Sequence, residues 1–266
     1  IHFLDPYREF NSPIHRLDPR VKFILALVFI FTVALTPHGA WPVYIILFSL
    51  ILTIEILSEI GVSYTLKRAS LVLPFVLAAL PVIFTLDGPI LTILSIGPWS
   101  LTIYQPGLER FLSIALKSWI SVQAAIILAT STPFPELLSA MRAVGIPRLL
   151  VAIFSLMWRY LFVLADETLR MIRARAARSG ESDQPDLKKG GSLTWRARVT
   201  GGMAGSLFLR AFERSDRIYT AMLSRGYNGE VRAQALTSMN GFDRLVLFLT
   251  SAFLITLLVL SLIFWG

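Results

Sequence analysis

The sequence contains no cysteine and three histidines, His2, His15 and His38, in 266 residues. Without thiols there is no disulfide framework, thiolate metal site, cysteine nucleophile or redox relay. Three scattered imidazoles are too few for a polyhistidine metal centre. Charge is also scarce: 16% of residues are charged, against roughly a quarter in a soluble domain. The chain lacks a Gly-x-Ser-x-Gly elbow, a His-Glu-x-x-His helix, a phosphate-binding loop and any aspartate pair suited to magnesium and pyrophosphate. Membrane-embedded enzymes are disfavoured accordingly, and no catalytic residue is assigned.

What fills the sequence is apolar: 55% of residues are hydrophobic and mean hydropathy is +0.66. A helix of roughly 17–25 apolar residues spans the hydrocarbon of a bilayer. Runs of that kind lie at 21–36, 41–57, 69–86, 108–130 and 245–265, the last free of charge throughout. Pro74 and Pro81 in the third are tolerable kinks within a membrane. Segment 89–104, with Gly97-Pro98, reads as an outer loop or hairpin. Lys117 in the fourth run needs a partner within the membrane, for which Glu55 is the natural carboxylate. Trp41 and Trp265 read as interfacial anchors. His15, Asp18 and Arg20 form a weak ligand set for a metal and suit a helix cap better.

Net charge is nevertheless +8, and its placement sets topology. Arg8, Arg16, Arg20 and Lys22 precede or open the first run, Lys67-Arg68 follow the second, and 17 of the 25 basic residues fall in 131–244. The positive-inside rule puts the N-terminus and this block in the cytoplasm and the C-terminus outside. Three regions follow: 1–131 with four membrane helices, a coupling module at 132–242, and a last membrane helix at 243–266. The basic block fits topology, anionic lipid and docking better than nucleic acid, which is not expected as a partner.

Within the block, 135–144 is a short amphipathic helix ended by Gly145-Ile146-Pro147. From 149 to 178, Arg159, Asp166, Arg170 and Arg173 share one helical stripe, and Ile153, Met157, Tyr160 and Leu164 share another. Its first half suits the membrane edge. Residues 180–192 read as a linker, and a second helix is expected over 203–224, interrupted near its start by Gly201, Gly202 and Gly205. Each helix ends in a small-Arg-small triplet, Ala177-Arg178-Ser179 and Ser224-Arg225-Gly226. An arginine fork suits a carboxylate in a partner's groove; the plainer role is to complement the helix dipole.

The opening Ser12-Pro13-Ile14-His15-Arg16-Leu17-Asp18-Pro19-Arg20-Val21-Lys22 resembles the start of the transmembrane T component of energy-coupling factor transporters. The triplets resemble that family's paired Ala-Arg-Gly coupling motifs, and residues 214–227 are most similar to its cobalt-type branch, CbiQ. The resemblance implies an all-α integral membrane protein with about five transmembrane helices and long amphipathic cytoplasmic coupling helices. It implies a non-catalytic subunit of an importer for cobalt or nickel in a bacterial or archaeal cell membrane. CbiO-like ATP-binding subunits would dock on Ala177, Arg178, Ser179, Ser224, Arg225 and Gly226. A CbiM-like substrate-binding subunit and a small CbiN-like accessory subunit would share the bilayer. ATP and magnesium would be bound by the ATPases, and this chain would hold no cofactor or metal. Ser179 stands where the family has glycine, and Ala174-Arg175-Ala176 is a competing match, so Arg225 is the firmer assignment. A vitamin T component, a conventional permease subunit and a membrane scaffold are the alternatives.

Overall fold

A computed structural model describes residues 7–85, 88–96, 99–178, 192–229 and 239–266. The chain divides into two compact units, Ile146–Gln234 and the pairing of His2–Gly145 with Ala235–Gly266.

The larger unit starts with two caps written into the Ser-Pro and Asp-Pro dipeptides. Ser12 caps α1 (Pro13–Arg16), its hydroxyl accepting from the His15 amide, and Asp18 caps α2 (Pro19–Leu35), its carboxylate accepting from the Arg20 amide. Proline at the first helical position has φ already set and lacks only an amide that would be orphaned there. His15 is held on both sides: Nδ1 lies 2.6 Å from the Ser12 hydroxyl and Nε2 3.0 Å from the Arg8 carbonyl. Burial lowers its pKa below the usual 6.5, the hydrogen bond to Arg8 opposing that shift. Caps and packing therefore account for the opening motif, and no cluster of three metal-ligating side chains occurs among the described residues.

Thr36, Gly39 and Ala40 turn the chain from α2 into α3 (Trp41–Leu57), with Gly39 at φ +83°. The third apolar run is segmented: α4 (Val62–Ala69), a 3-10 turn at Ser70–Val72, α5 (Leu73–Leu77) and α6 (Val82–Thr85). Pro74 falls in the first turn of α5 and Pro81 just precedes α6, as expected where a missing amide ends a hydrogen-bond ladder. Helix begins earlier than hydropathy suggests because Lys67 and Arg68 sit on the exposed face of α4, while Thr65 and Ala69 are buried. The expected hairpin is present, antiparallel strands β1 (Ile90–Ile96) and β2 (Trp99–Tyr104) with an irregularity between Ile90 and Thr92. Then come α7 (Gln105–Ser131), α8 (Phe134–Ala143) and, at the end of the chain, α11 (Gly241–Trp265).

The core lies where α2, α3, α7 and α11 meet, built from Phe29, Val33, Val43, Leu47, Ile51, Ile120, Ala124, Ile127, Leu254 and Leu257. At one end of this bundle the basic lead-in closes over the helix termini. The Arg8 amide donates to the Thr130 carbonyl at 3.0 Å and buried Lys22 donates to the Ser131 carbonyl at 2.9 Å. The Tyr64 ring is sandwiched by the guanidinium groups of Arg8 at 3.8 Å and Arg68 at 4.7 Å.

Four helical stretches among the described residues are long and apolar enough to cross a membrane: Val62–Thr85, Gln105–Ser131, Arg148–Arg178 and Gly241–Trp265. This describes an all-α integral membrane protein, with two differences from the five expected runs. Helices α2 and α3 have 17 residues each, about 25 Å, the short end of what spans a bilayer. Arg148–Arg178 joins the list because its apolar half is longer than its charged stripe suggests.

One expected pair is absent. Lys117 donates to the Ala34 carbonyl at 3.2 Å, and the Glu55 carboxyl oxygens make no hydrogen bond with any described residue. Depth explains this. Ser113, one turn before Lys117, accepts from the Gly39 amide in the α2–α3 turn, whereas Glu55 lies about 20 Å further along α3.

Candidate coupling site

The smaller unit contains two long helices, α9 (Arg148–Arg178) and α10 (Leu193–Ser224). Pro147 ends the preceding segment and its carbonyl accepts from Leu150 and Val151, opening α9. Ser192 caps α10, its hydroxyl accepting from the Trp195 amide at 3.2 Å. Helix α10 runs unbroken through Gly201, Gly202 and Gly205, contrary to the interruption expected there. Glycine lowers helix propensity by only about 1 kcal/mol, which the rest of a 32-residue helix outweighs.

Three contacts fix the pairing. Arg210 bridges Glu167 at 2.7 Å, Arg175 donates to the Thr200 hydroxyl at 3.0 Å, and the Arg175 guanidinium stands 5.9 Å from the Trp195 ring. The register is antiparallel, since later residues of α9 meet earlier residues of α10. Two clefts open on either side of the Glu167–Arg210 bridge. One, about 680 Å³, is largely apolar and runs between Leu149–Leu164 and the last turns of α10 out to Gly229. The other, about 620 Å³, gathers Arg170, Arg175, Arg178 and Arg210 beside Trp195. Glu167 is thereby bridged to the second helix and not to Arg170 of its own. Glu213 and Arg217, four apart on α10, pair at 4.0 Å on an exposed surface, where such pairs contribute at most about 0.5 kcal/mol.

The second triplet has a local explanation for each member. The Tyr227 amide donates to the Met222 carbonyl at 3.0 Å and the Gly226 amide to Leu223 at 2.9 Å, the two bonds of a Schellman helix stop. That stop requires the left-handed backbone of Gly226, φ +77°. Ser224 donates its hydroxyl to the Thr220 carbonyl one turn back. The Arg225 amide donates to the Met222 carbonyl at 3.1 Å, but its guanidinium is exposed and has no hydrogen-bond or ion partner among the described residues. In the first triplet Ala177 and Arg178 form the last turn of α9, and Ser179 lies outside the described residues. Arg178 is exposed and likewise without a described partner, whereas Arg175 of the competing match is engaged by α10. Antiparallel pairing does not bring the triplets together. It puts them at opposite ends of the pair, about 45 Å apart for helices of this length.

Sequence reading missed the Arg175–Thr200–Trp195 contact, since nothing local marks register between two helices. The Schellman stop was readable: glycine after a helical run whose next residue, Tyr227, has an amide free to reach back.

Membrane-length helices and a long, basic, amphipathic antiparallel pair define a class: a multi-pass membrane protein with an extended helical pair. The chain belongs to the CbiQ family of cobalt transport proteins, whose sequence pattern matches residues 10–236. It is 28% identical to cobalt transport protein CbiQ of Salmonella typhimurium, over 84% of this chain and 96% of that protein. With the energy-coupling factor transporter transmembrane protein EcfT of Ruminiclostridium cellulolyticum it shares 26% identity over 96% of this chain and 95% of that one. An uncharacterized protein of Methanocaldococcus jannaschii is 28% identical over 86% of this chain and 76% of its own length. Kinship to both CbiQ and EcfT makes this chain a transmembrane component of the energy-coupling factor type.

Proposed function

We propose that this chain couples cytoplasmic ATP-binding subunits to a substrate-binding membrane subunit of a cobalt or nickel importer. The observation that carries the proposal is the pair of unpartnered arginines, Arg178 and Arg225, exposed at opposite ends of the α9–α10 pair. A guanidinium that complemented only its own helix would lie against the terminal carbonyls. One left free at a helix stop is available to a carboxylate in a partner's groove. Arg178, not Arg175, is the docking residue of the first helix on this reading, because Arg175 is tethered to Thr200 of α10 and faces the neighbouring helix, whereas Arg178 stands exposed at the helix end.

On this reading ATP binding draws two ATPases together, and their grooves carry the two ends of the pair. The Glu167–Arg210 bridge, between the clefts, is where such a motion pivots. The substrate subunit is moved by the apolar faces of these helices.

 The chain holds no cofactor of its own on this reading; ATP and magnesium stay with CbiO-like partners. CbiM-like and CbiN-like subunits share the bilayer, with the N-terminus of this chain in the cytoplasm and its C-terminus outside. A vitamin importer is the second reading, since the names of the EcfT relatives specify no metal.

The test is co-purification of the detergent-solubilised complex. Wild type is expected to retain the ATPase, and Arg225→Glu or Arg178→Glu to lose most of it. Full retention by Arg225→Glu would overturn the docking role, and an ATPase-free wild type would overturn the transporter reading.

A further inference from the structure

The cleft at the Arg178 end of the helix pair has chemistry beyond the one arginine that docking uses. Four guanidinium groups line it, from Arg170, Arg175, Arg178 and Arg210, with one carboxylate, Glu167. Glu167 is already committed to Arg210 at 2.7 Å. Arg175 is tethered through one nitrogen to Thr200 and keeps the rest of its fork. Arg170 has no hydrogen-bond or ion partner among the described residues. The cleft therefore has an excess of positive charge, at fixed positions, with Met171, Val199 and Met203 as an apolar floor.

We propose that this cleft binds the phosphate of an anionic phospholipid. Guanidinium forks match phosphate oxygens in pairs. The apolar floor suits glycerol and the first acyl carbons. Position selects the source of the phosphate: the arginines follow directly on the apolar first half of α9, which suits a membrane surface, so they stand within reach of lipid headgroups. Trp195, half exposed on the cleft wall, is the residue type that settles at that level. The second cleft contains one arginine, Arg214, and otherwise mostly apolar side chains, so it lacks the charge for the same ligand. The inference stands apart from ATPase docking, and Arg178 is left unchanged in its test.

The full chain is equilibrated in mixed micelles of equal parts phosphatidylglycerol and phosphatidylcholine, purified, and its retained lipids counted by mass spectrometry. Wild type is expected to enrich phosphatidylglycerol, Arg170→Gln to reduce that enrichment about fivefold, and Arg170→Gln with Arg175→Gln to bring it to parity. Arg170→Gln removes no contact among the described residues, so it keeps the test open should the double variant fail to fold. Arg173→Gln, on the same helix but outside the cleft, is expected to retain the enrichment. Equal retention of both lipids by wild type would overturn the proposal, as would an Arg173→Gln loss matching that of Arg170→Gln. Displacement by millimolar inorganic phosphate would identify free phosphate as the ligand and overturn the lipid assignment.

Discussion

Glu55 is fully buried at 1% exposure, on the core-facing stripe of α3 with Tyr44, Leu47 and Ile51. Both carboxyl oxygens lack a partner among the described residues, as do both side-chain polar atoms of buried Gln123. An unpartnered buried polar group costs about 1–3 kcal/mol. Glu55→Met, close in volume and free of that cost, is expected to raise the thermal stability of the detergent-solubilised chain; a lower midpoint would show that the carboxyl has a partner. Sequence marked Glu55 and Lys117 as the two charges needing an answer inside the membrane, and that much was legible. Their pairing was not, because depth along a helix depends on which turn joins which ends. Lys22 illustrates the same limit: its own sequence position gives no hint that its ammonium reaches the Ser131 carbonyl.

At the scale of elements, glycines separate into two kinds. A side chain on Gly107, in the first turn of α7, would meet the Ile83 carbonyl at 2.6 Å and the Ile83 Cα at 2.9 Å. Backbone cannot step aside there, so Gly107→Ala is expected to destabilise the chain by about 1–3 kcal/mol. A side chain on Gly201, Gly202 or Gly205 meets nothing within 4 Å. Alanine at any of these is expected to leave the chain as stable or raise its stability by about 1 kcal/mol. Thermal melting of the variants distinguishes the two kinds, and a destabilising Gly201→Ala would sink the distinction. Sequence reading found most of the helices and the hairpin because each has a local signal, an apolar run or a turn dipeptide; it took Pro74 and Pro81 as kinks within one span, where the structure divides the run into short helices. It misplaced the start of α10 because glycine is a weak local penalty beside a helix of 32 residues. The triplets were visible as sequence, but which arginine was already occupied required the neighbouring helix.

For the whole molecule, separation of the two proposed docking ends by about 45 Å gives a quantitative expectation. Mutational effects at sites that far apart and without shared partners add within about 0.5 kcal/mol. In the nucleotide-free state, the losses in ATPase binding free energy from Arg178→Glu and Arg225→Glu are expected to sum in the double variant. Titration of immobilised chain with the ATPase reads this directly. A double variant no weaker than the worse single one would mean that both arginines serve one docking site.

The packing of α2 on α11 also has a consequence for how the protein is made. About 200 residues separate these helices, which at a synthesis rate of roughly 5–20 residues per second means a wait of about 10–40 s. The first membrane helix emerges with Arg20 and Lys22 at its start and its partner face still uncovered. Until the ribosome delivers the last helix, lipid or the insertion machinery must shield Phe29 and Val33, so a chain truncated before Gly241 is left with an open seam and is a natural target for membrane proteases.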